Sequence, residues 1–190
     1  MDLILVTDSI EGLNPLIQAA SAAGWCVLKH IGPNDQASLS VKEVGPDAVV
    51  FVTDEVDRHT LKEMEAITEH SPVPIVIMTR DNSQGSIDAA VKAGCTTYVV
   101  DCADPERIGS LLQVAKAKFS ETQRLSKELE KIRNELADRK STDRAKGIIM
   151  QARGISEDEA YKALRKLAMD KNKRIGEIAE QIIAAAEILV

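Results

Sequence analysis

Apolar and polar positions follow two rhythms along this chain. Short apolar runs of strand length are separated by stretches whose apolar residues recur every three or four positions. Leu3–Thr7, Trp25–His30, Asp47–Thr53, Ile75–Thr79 and Tyr98–Val100 read as strands. Gly12–Ala23, Arg58–His70, Gln84–Ala93 and a segment opening at Pro105 read as helices. Asp47–Thr53 is almost continuously apolar, the pattern of a strand buried on both faces. Gly24 and Gly94 stop two of the helices, and Pro72 and Pro74 punctuate the entry to the fourth strand. No element is predicted between His30 and Asp47. Alternation of this kind implies an α/β fold, a doubly wound parallel five-stranded sheet with helices on both faces. In such sheets functional groups lie outside the carboxyl ends of the strands. Those ends offer Thr7, Asp8, Thr53, Asp54, Thr79 and Asp101.

Beyond Leu111 the rhythm becomes a 4–3 spacing, convincingly apolar at Leu125, Leu129, Ile132 and Leu136. Proline and glycine are absent from Ser110 to Lys146 and the charges are mixed. These features predict one long helix, ~50 Å at 1.5 Å per residue, with a coiled-coil seam of about two heptads. A narrow apolar stripe with solvated flanks favours dimerisation over packing on its own domain. So short a seam need not hold a dimer alone.

Gly154 ends the long helix, and Ser156-Glu157-Asp158-Glu159 is a capping box for the next one. Ala160, Leu164, Leu167 and Ala168 form that helix's apolar stripe, and Asp170–Lys173 a polar turn. Ile175, Ile178, Ala179, Ile182, Ile183 and Ala186 form the stripe of a last helix. With Ile148, Ile149 and Met150 these stripes can close a small three-helix bundle. The domain division expected is 1–118, an α/β domain; 119–142, a coiled-coil linker; and 143–190, the bundle.

Charge divides the chain in the same way. Residues 1–114 hold seven Lys+Arg against seventeen Asp+Glu, and residues 115–190 hold seventeen against thirteen. Opposite electrostatic characters imply different partners for the two parts. A basic run is most often a solvated face, so charge alone does not specify nucleic acid. Aromatics are 3% of the chain, which argues against base stacking on aromatic platforms as the main binding mode. No apolar run approaches the ~20 residues of a membrane span, and MDLILVTDS reads as a strand without the basic region of a signal peptide. A cytoplasmic protein is expected. Cys26, Cys95 and Cys102 lack C-x-x-C spacing and do not cluster with His30, His59 or His70. They read as reduced core residues, with no zinc site. No Ser/His/Asp set and no phosphate-binding glycine loop is visible, so an enzyme is the poorest reading. No cofactor or resident metal is expected.

Over about residues 1–120 the layout resembles the receiver domain of two-component response regulators. That resemblance implies an acidic pair after the first strand to hold magnesium, an aspartate ending the third strand to accept phosphate, a hydroxyl after the fourth and a lysine after the fifth. Hard cations need carboxylate oxygens, and a transferred phosphoryl group needs positive charge nearby. The match here is partial. Asp8 stands at the second acidic position but Thr7 at the first; Thr79 supplies the hydroxyl. The acceptor position falls on Val52, with Asp54 two residues later, and the lysine position falls on Asp101. A degenerate receiver that is not phosphorylated is the expectation; Asp54 as acceptor after a register shift is the alternative.

AKGIIM at Ala145–Met150, SEDEAYKALRKLAM at Ser156–Met169 and IGEIAEQII at Ile175–Ile183 strongly resemble, in order, the blocks of the ANTAR domain. That family is an RNA-binding output domain of transcription antiterminators. The resemblance covers about residues 135–190 and points most to the nitrate-assimilation members of the family. It implies binding to paired hairpins in leader mRNA, one domain per hairpin, and prevention of terminator formation. It also implies a homodimer when active, and control by a nitrate/nitrite-sensing partner protein of the NasS type. By position, Lys146, Gly147, Arg165, Lys173 and Arg174 are the candidates for RNA contact, and Met150, Leu164, Ala168 and Ile178 for the core. Two other classes stay open: a DNA-binding response regulator, whose three small helices would enter the major groove, and a pure protein-interaction module.

Overall fold

A computed structural model of the chain describes residues 1–7, 13–32, 35–101 and 107–189. Its elements in order are β1 (Asp2–Thr7), α1 (Leu13–Ala22), β2 (Cys26–Ile31), α2 (Ala37–Val44), β3 (Ala48–Thr53), α3 (Arg58–His70), β4 (Ile75–Thr79), α4 (Gln84–Lys92), β5 (Thr97–Val100), α5 (Ile108–Arg153), α6 (Glu157–Asp170) and α7 (Ile175–Leu189). They divide into two compact units, Met1–Gln123 and Arg124–Val190, and α5 contributes to both.

The first unit is a five-stranded parallel sheet in the order β2-β1-β3-β4-β5. Strand periodicity sorts its side chains onto two faces. Leu3, Leu5, Val50, Val76 and Met78 pack with Leu16 and Ala20 of α1 and Ile108, Leu112 and Ala115 of α5. Ile4, Val6, Val49, Phe51, Ile75 and Ile77 pack with α2, α3 and α4 through Val41, Met64, Ile67 and Ala90. Both faces of β1, β3 and β4 are therefore buried, which is why those strands read as continuous apolar runs.

Two expectations need correction in this unit. Helix α2 fills the stretch in which no element was predicted. It has two serines among eight residues and buries only Ala37, Ser40 and Val41, so its periodic signal is faint. A parallel β2–β3 neighbourhood across β1 nonetheless demands a crossover. Its end is marked by Gly45, at φ 63°, whose N–H donates to Val41 O. Cys26, expected in the core, is exposed on edge strand β2. Cys95 is partly buried beside the α3–α4 core, and burial pushes its thiol up to about 11. Cys102 lies outside the described residues.

The second unit is a three-helix bundle. Ala145 of α5, Leu164 and Ala168 of α6, and Ile178 and Ala179 of α7 form its buried centre, flanked by Ile149, Leu167, Ile175, Ile182 and Ile183. Met150, expected in this core, is only half-buried and stands outside that cluster. α5 stops at Gly154, whose φ of 64° is the left-handed cap that favours glycine. α6 then starts with the capping box foreseen: Ser156 Oγ accepts from Glu159 N, and Glu159 Oε2 accepts from Ser156 N at 3.0 Å. Gly176 approaches Asp138 of α5 so closely that a Cβ there would collide with the aspartate side chain. The absence of a side chain lets α7 begin against α5.

Candidate functional site

Two places carry the candidate chemistry: the carboxyl ends of the sheet strands in the first unit, and the outer surface of the bundle in the second.

At the sheet, parallel register sets Thr7 beside Val52, Thr53 beside Thr79, and Thr79 beside Val100. Thr7 and Thr79 are buried. Thr79 Oγ1 donates to Asp54 O at 3.0 Å and accepts from Asp81 N at 3.1 Å, so its single proton is committed to the loop after β3. Val52 brings no oxygen to this place and packs partly against the α1/α5 face of the core. Asp54 stands beyond the strand end, exposed, 3.4 Å from Arg80 Nη1. Asp101 follows β5 in the left-handed conformation, φ 49°, and its N–H donates to Thr79 O at 3.0 Å. Asp8 lies outside the described residues. Among the described residues no group of three or more His, Cys, Asp or Glu could hold a metal ion. Asp81 and Asp57 are held below the usual carboxylate range, Asp81 chiefly by hydrogen bonds from Ser86 and Ser83, and Asp57 by the Thr60 N–H it caps. Sequence reading missed Tyr98, whose hydroxyl donates to Asp81 O at 2.8 Å and ties β5 to the loop after β4.

In the bundle, helical periodicity turns Ala160, Leu164 and Ala168 of α6 inward. Tyr161, Lys162, Arg165, Lys166 and Met169 are exposed, Lys162, Lys166 and Met169 on the far side of the helix and Tyr161 and Arg165 on its flank. Met169 is 71% exposed, an unusual place for a large apolar side chain. Its spacing of i, i+4, i+8 from Tyr161 through Arg165 was the signal available for it in the sequence. Lys171, Lys173 and Arg174 are exposed in the α6–α7 turn, which passes through Asn172 at φ 51°. Arg174 Nε lies 3.2 Å from Glu177, an exposed pair of small energetic weight. Among the described residues, Arg165, Lys162, Lys166 and Lys173 make no ion pair within 4.0 Å.

The other two candidates stand on α5. Gly147 is exposed, and a Cβ there would meet nothing within 4 Å. Lys146 is less accessible than the other four candidates, which are exposed: its side chain is only 16% exposed, and Nζ lies 2.7 Å from both Asp143 Oδ1 and Glu157 Oε1. The Asp143 carboxylate, then that of Glu157, hold the Lys146 ammonium above its usual range, and Lys146 in turn lowers Asp143. The structure thus groups Arg165, Lys173 and Arg174 among the exposed cations of α6 and its following turn, and sets Lys146 apart from them. Leu125, Leu129, Ile132 and Leu136 of the seam are 48–54% exposed along α5.

Residues 130–183 match the family model described as the ANTAR domain. The C-terminal bundle is similar to that domain. The transcriptional regulatory protein PdtaR of Mycobacterium tuberculosis is 24% identical over 160 residues, which are 84% of this chain and 78% of that protein. The nitrate regulatory protein of Klebsiella oxytoca is 40% identical over 73 residues, 38% of this chain and 18% of that protein. Among solved structures, a LuxR-family DNA-binding response regulator from Staphylococcus aureus superposes with a TM-score of 0.53 at 19% identity, covering 60% of this chain and 98% of that one. At that identity the likeness establishes the receiver fold alone. No helix among the described residues is long and apolar enough to cross a membrane.

Proposed function

We propose that this chain is an RNA-binding transcription antitermination regulator. It binds paired hairpins in leader mRNA, one ANTAR domain per hairpin, and prevents a terminator from forming. Two copies join along the α5 seam to set the spacing of the two readers. The genes served are those of nitrate or nitrite assimilation, and a sensor protein for those anions controls the regulator in place of a kinase.

The observation that carries this reading is the ANTAR match over 130–183, laid on a bundle whose α6 and following turn expose Lys162, Arg165, Lys166 and Lys173 outside any ion pair among the described residues. Hairpin loops expose base edges that A-form helices hide. Tyr161 and the Arg165 guanidinium, one helical turn apart, suit stacking on loop bases, worth ~1–3 kcal/mol per base. Lys162, Lys166, Lys171 and Lys173 suit phosphates. Four exposed apolar side chains at coiled-coil spacing support dimerisation. Valine at the acceptor position, Asp101 at the lysine position and a committed Thr79 hydroxyl support control by a protein in place of phosphate. The nitrate assignment draws on the 40% identity to the Klebsiella protein.

Crosslinking in cells, followed by sequencing of bound RNA, tests function and target together; paired hairpins upstream of a terminator are the expected yield. In gel shifts, hairpin RNA should outcompete duplex DNA of the same sequence. A preference for the duplex would make the protein a DNA reader, and failure to bind any structured leader at low salt would make it an interaction module. Incubation with a small phosphodonor and magnesium should leave the protein unlabelled. Stoichiometric labelling that disappears in Asp54→Asn would refute the unphosphorylated receiver.

A further inference from the structure

We propose that Lys146 is a positioning residue of the RNA-reading face and not a phosphate contact: it anchors the first turn of α6 to α5 and so fixes how Tyr161 and Lys162 are presented. The inference rests on the RNA-binding reading of the bundle. Lys146 Nζ is 2.7 Å from Asp143 Oδ1 on its own helix and 2.7 Å from Glu157 Oε1 at the start of α6. Two carboxylates against one ammonium leave this cluster with one negative charge in excess. Asp158 and Glu159 add two more in the same first turn of α6. A polyanion is repelled there, so its path runs over the exposed cations further along α6 and in the turn that follows. The local charges that suit the α6 dipole therefore also mark the edge of the RNA footprint.

The anchoring has a mechanical reason. α5 and α6 are joined only by Gly154, Ile155 and Ser156, with Gly154 in the left-handed conformation. Ala160, at the end of the first turn, is buried, and burial of Leu164 and Ala168 holds the later half of α6, Arg165 included. The capping box closes its first turn internally but ties it to nothing on α5. The Lys146–Glu157 hydrogen bond supplies that tie. Tyr161 and Lys162 lie four and five residues beyond Glu157, about 6 to 7.5 Å along the helix at 1.5 Å per residue, and both precede Leu164. A tilt of the first turn therefore shifts where their side chains point.

The test compares Lys146→Met, Glu157→Gln, the double variant and Lys166→Met in the full chain. Hairpin affinity is measured over a salt series, well below each variant's Tm, with amide exchange at Glu159 and Ala160 followed in parallel. Lys146→Met and Glu157→Gln should each weaken hairpin binding about fivefold, and the double variant should be no weaker than the worse single one. The log–log salt slope should stay at the wild-type value in all three, and exchange should quicken. Lys166→Met should lower the slope by about 0.7, as loss of a phosphate contact does. The proposal is overturned if Lys146→Met lowers the slope by that amount, if Glu157→Gln tightens binding, or if affinity is unchanged and only the Tm falls. Should the wild-type protein bind no hairpin RNA, the proposed function fails; unchanged exchange in the variants would then overturn the anchoring as well.

Discussion

Gly147 illustrates a residue whose identity its own unit does not explain. Glycine inside a helix is about 1 kcal/mol less favourable than alanine. At Gly147 there is open space for a Cβ, so no packing within the described residues demands its absence. Gly176 is the opposite case, since Asp138 fills the space a Cβ would need. Gly147→Ala should therefore raise stability by about 1 kcal/mol in urea unfolding, and, if RNA approaches the α5 backbone there, should weaken hairpin binding. Unchanged affinity in the stabilised variant would remove Gly147 from the interface. At this scale the sequence was a good guide to residue type and a poor one to engagement. Lys146 and Arg165 are both basic positions in matching blocks; only the distances reveal that one is held by two carboxylates and the other is not. Cys26 likewise reads as a small core residue until its place on an edge strand is known.

Elements were most legible where one local rule acted alone. α3 and β4 fall on their predicted bounds because caps and prolines mark them: Asp57 caps α3 through Thr60 N, and Pro74 precedes β4. The Ser156–Glu159 box was readable from four letters for the same reason. α2 was not, because eight residues with three buried positions carry too little periodicity; it exists because parallel strands need a crossover and β1 and β3 leave an apolar face to cover. The α5 seam is an element-scale case with its outcome still to be measured. Leu129→Lys with Ile132→Lys replaces two exposed apolar residues, so the fold should be kept. Sedimentation should show loss of any dimer, and affinity for paired hairpins should fall while that for a single hairpin is retained. A dimer that survives the double change would place the interface elsewhere.

Across the whole chain, charge is the property that separates the two units, and it bears on acid stability within the first. Asp47, just before β3, accepts from Asp2 N and binds Lys116 Nζ of α5 at 2.9 Å, so it joins β1, β3 and α5. The Asp2 N–H, then the Lys116 ammonium, hold its carboxyl below the usual range. A depressed folded-state pKa means the stabilisation is fully present above the unfolded value of about 3.9. It is lost as pH falls through the lower folded value. Asp47→Asn should therefore flatten the acid limb of the stability curve below about pH 4, measured by urea unfolding against pH, and leave the region near pH 7 lower by a constant amount. An acid limb of unchanged slope would assign it to other carboxylates.

Apolar periodicity, the capping box and the order of three sequence blocks were enough to determine the α/β-then-helical organisation and the ANTAR module, because each depends on residues near one another in the chain. Tertiary structure alone decided which charges remain available. Whether Thr79 keeps its proton, whether Asp54 reaches the pocket and whether Lys146 can meet a phosphate depend on carbonyls and carboxylates contributed by distant or neighbouring elements, at distances that no spacing along the sequence specifies.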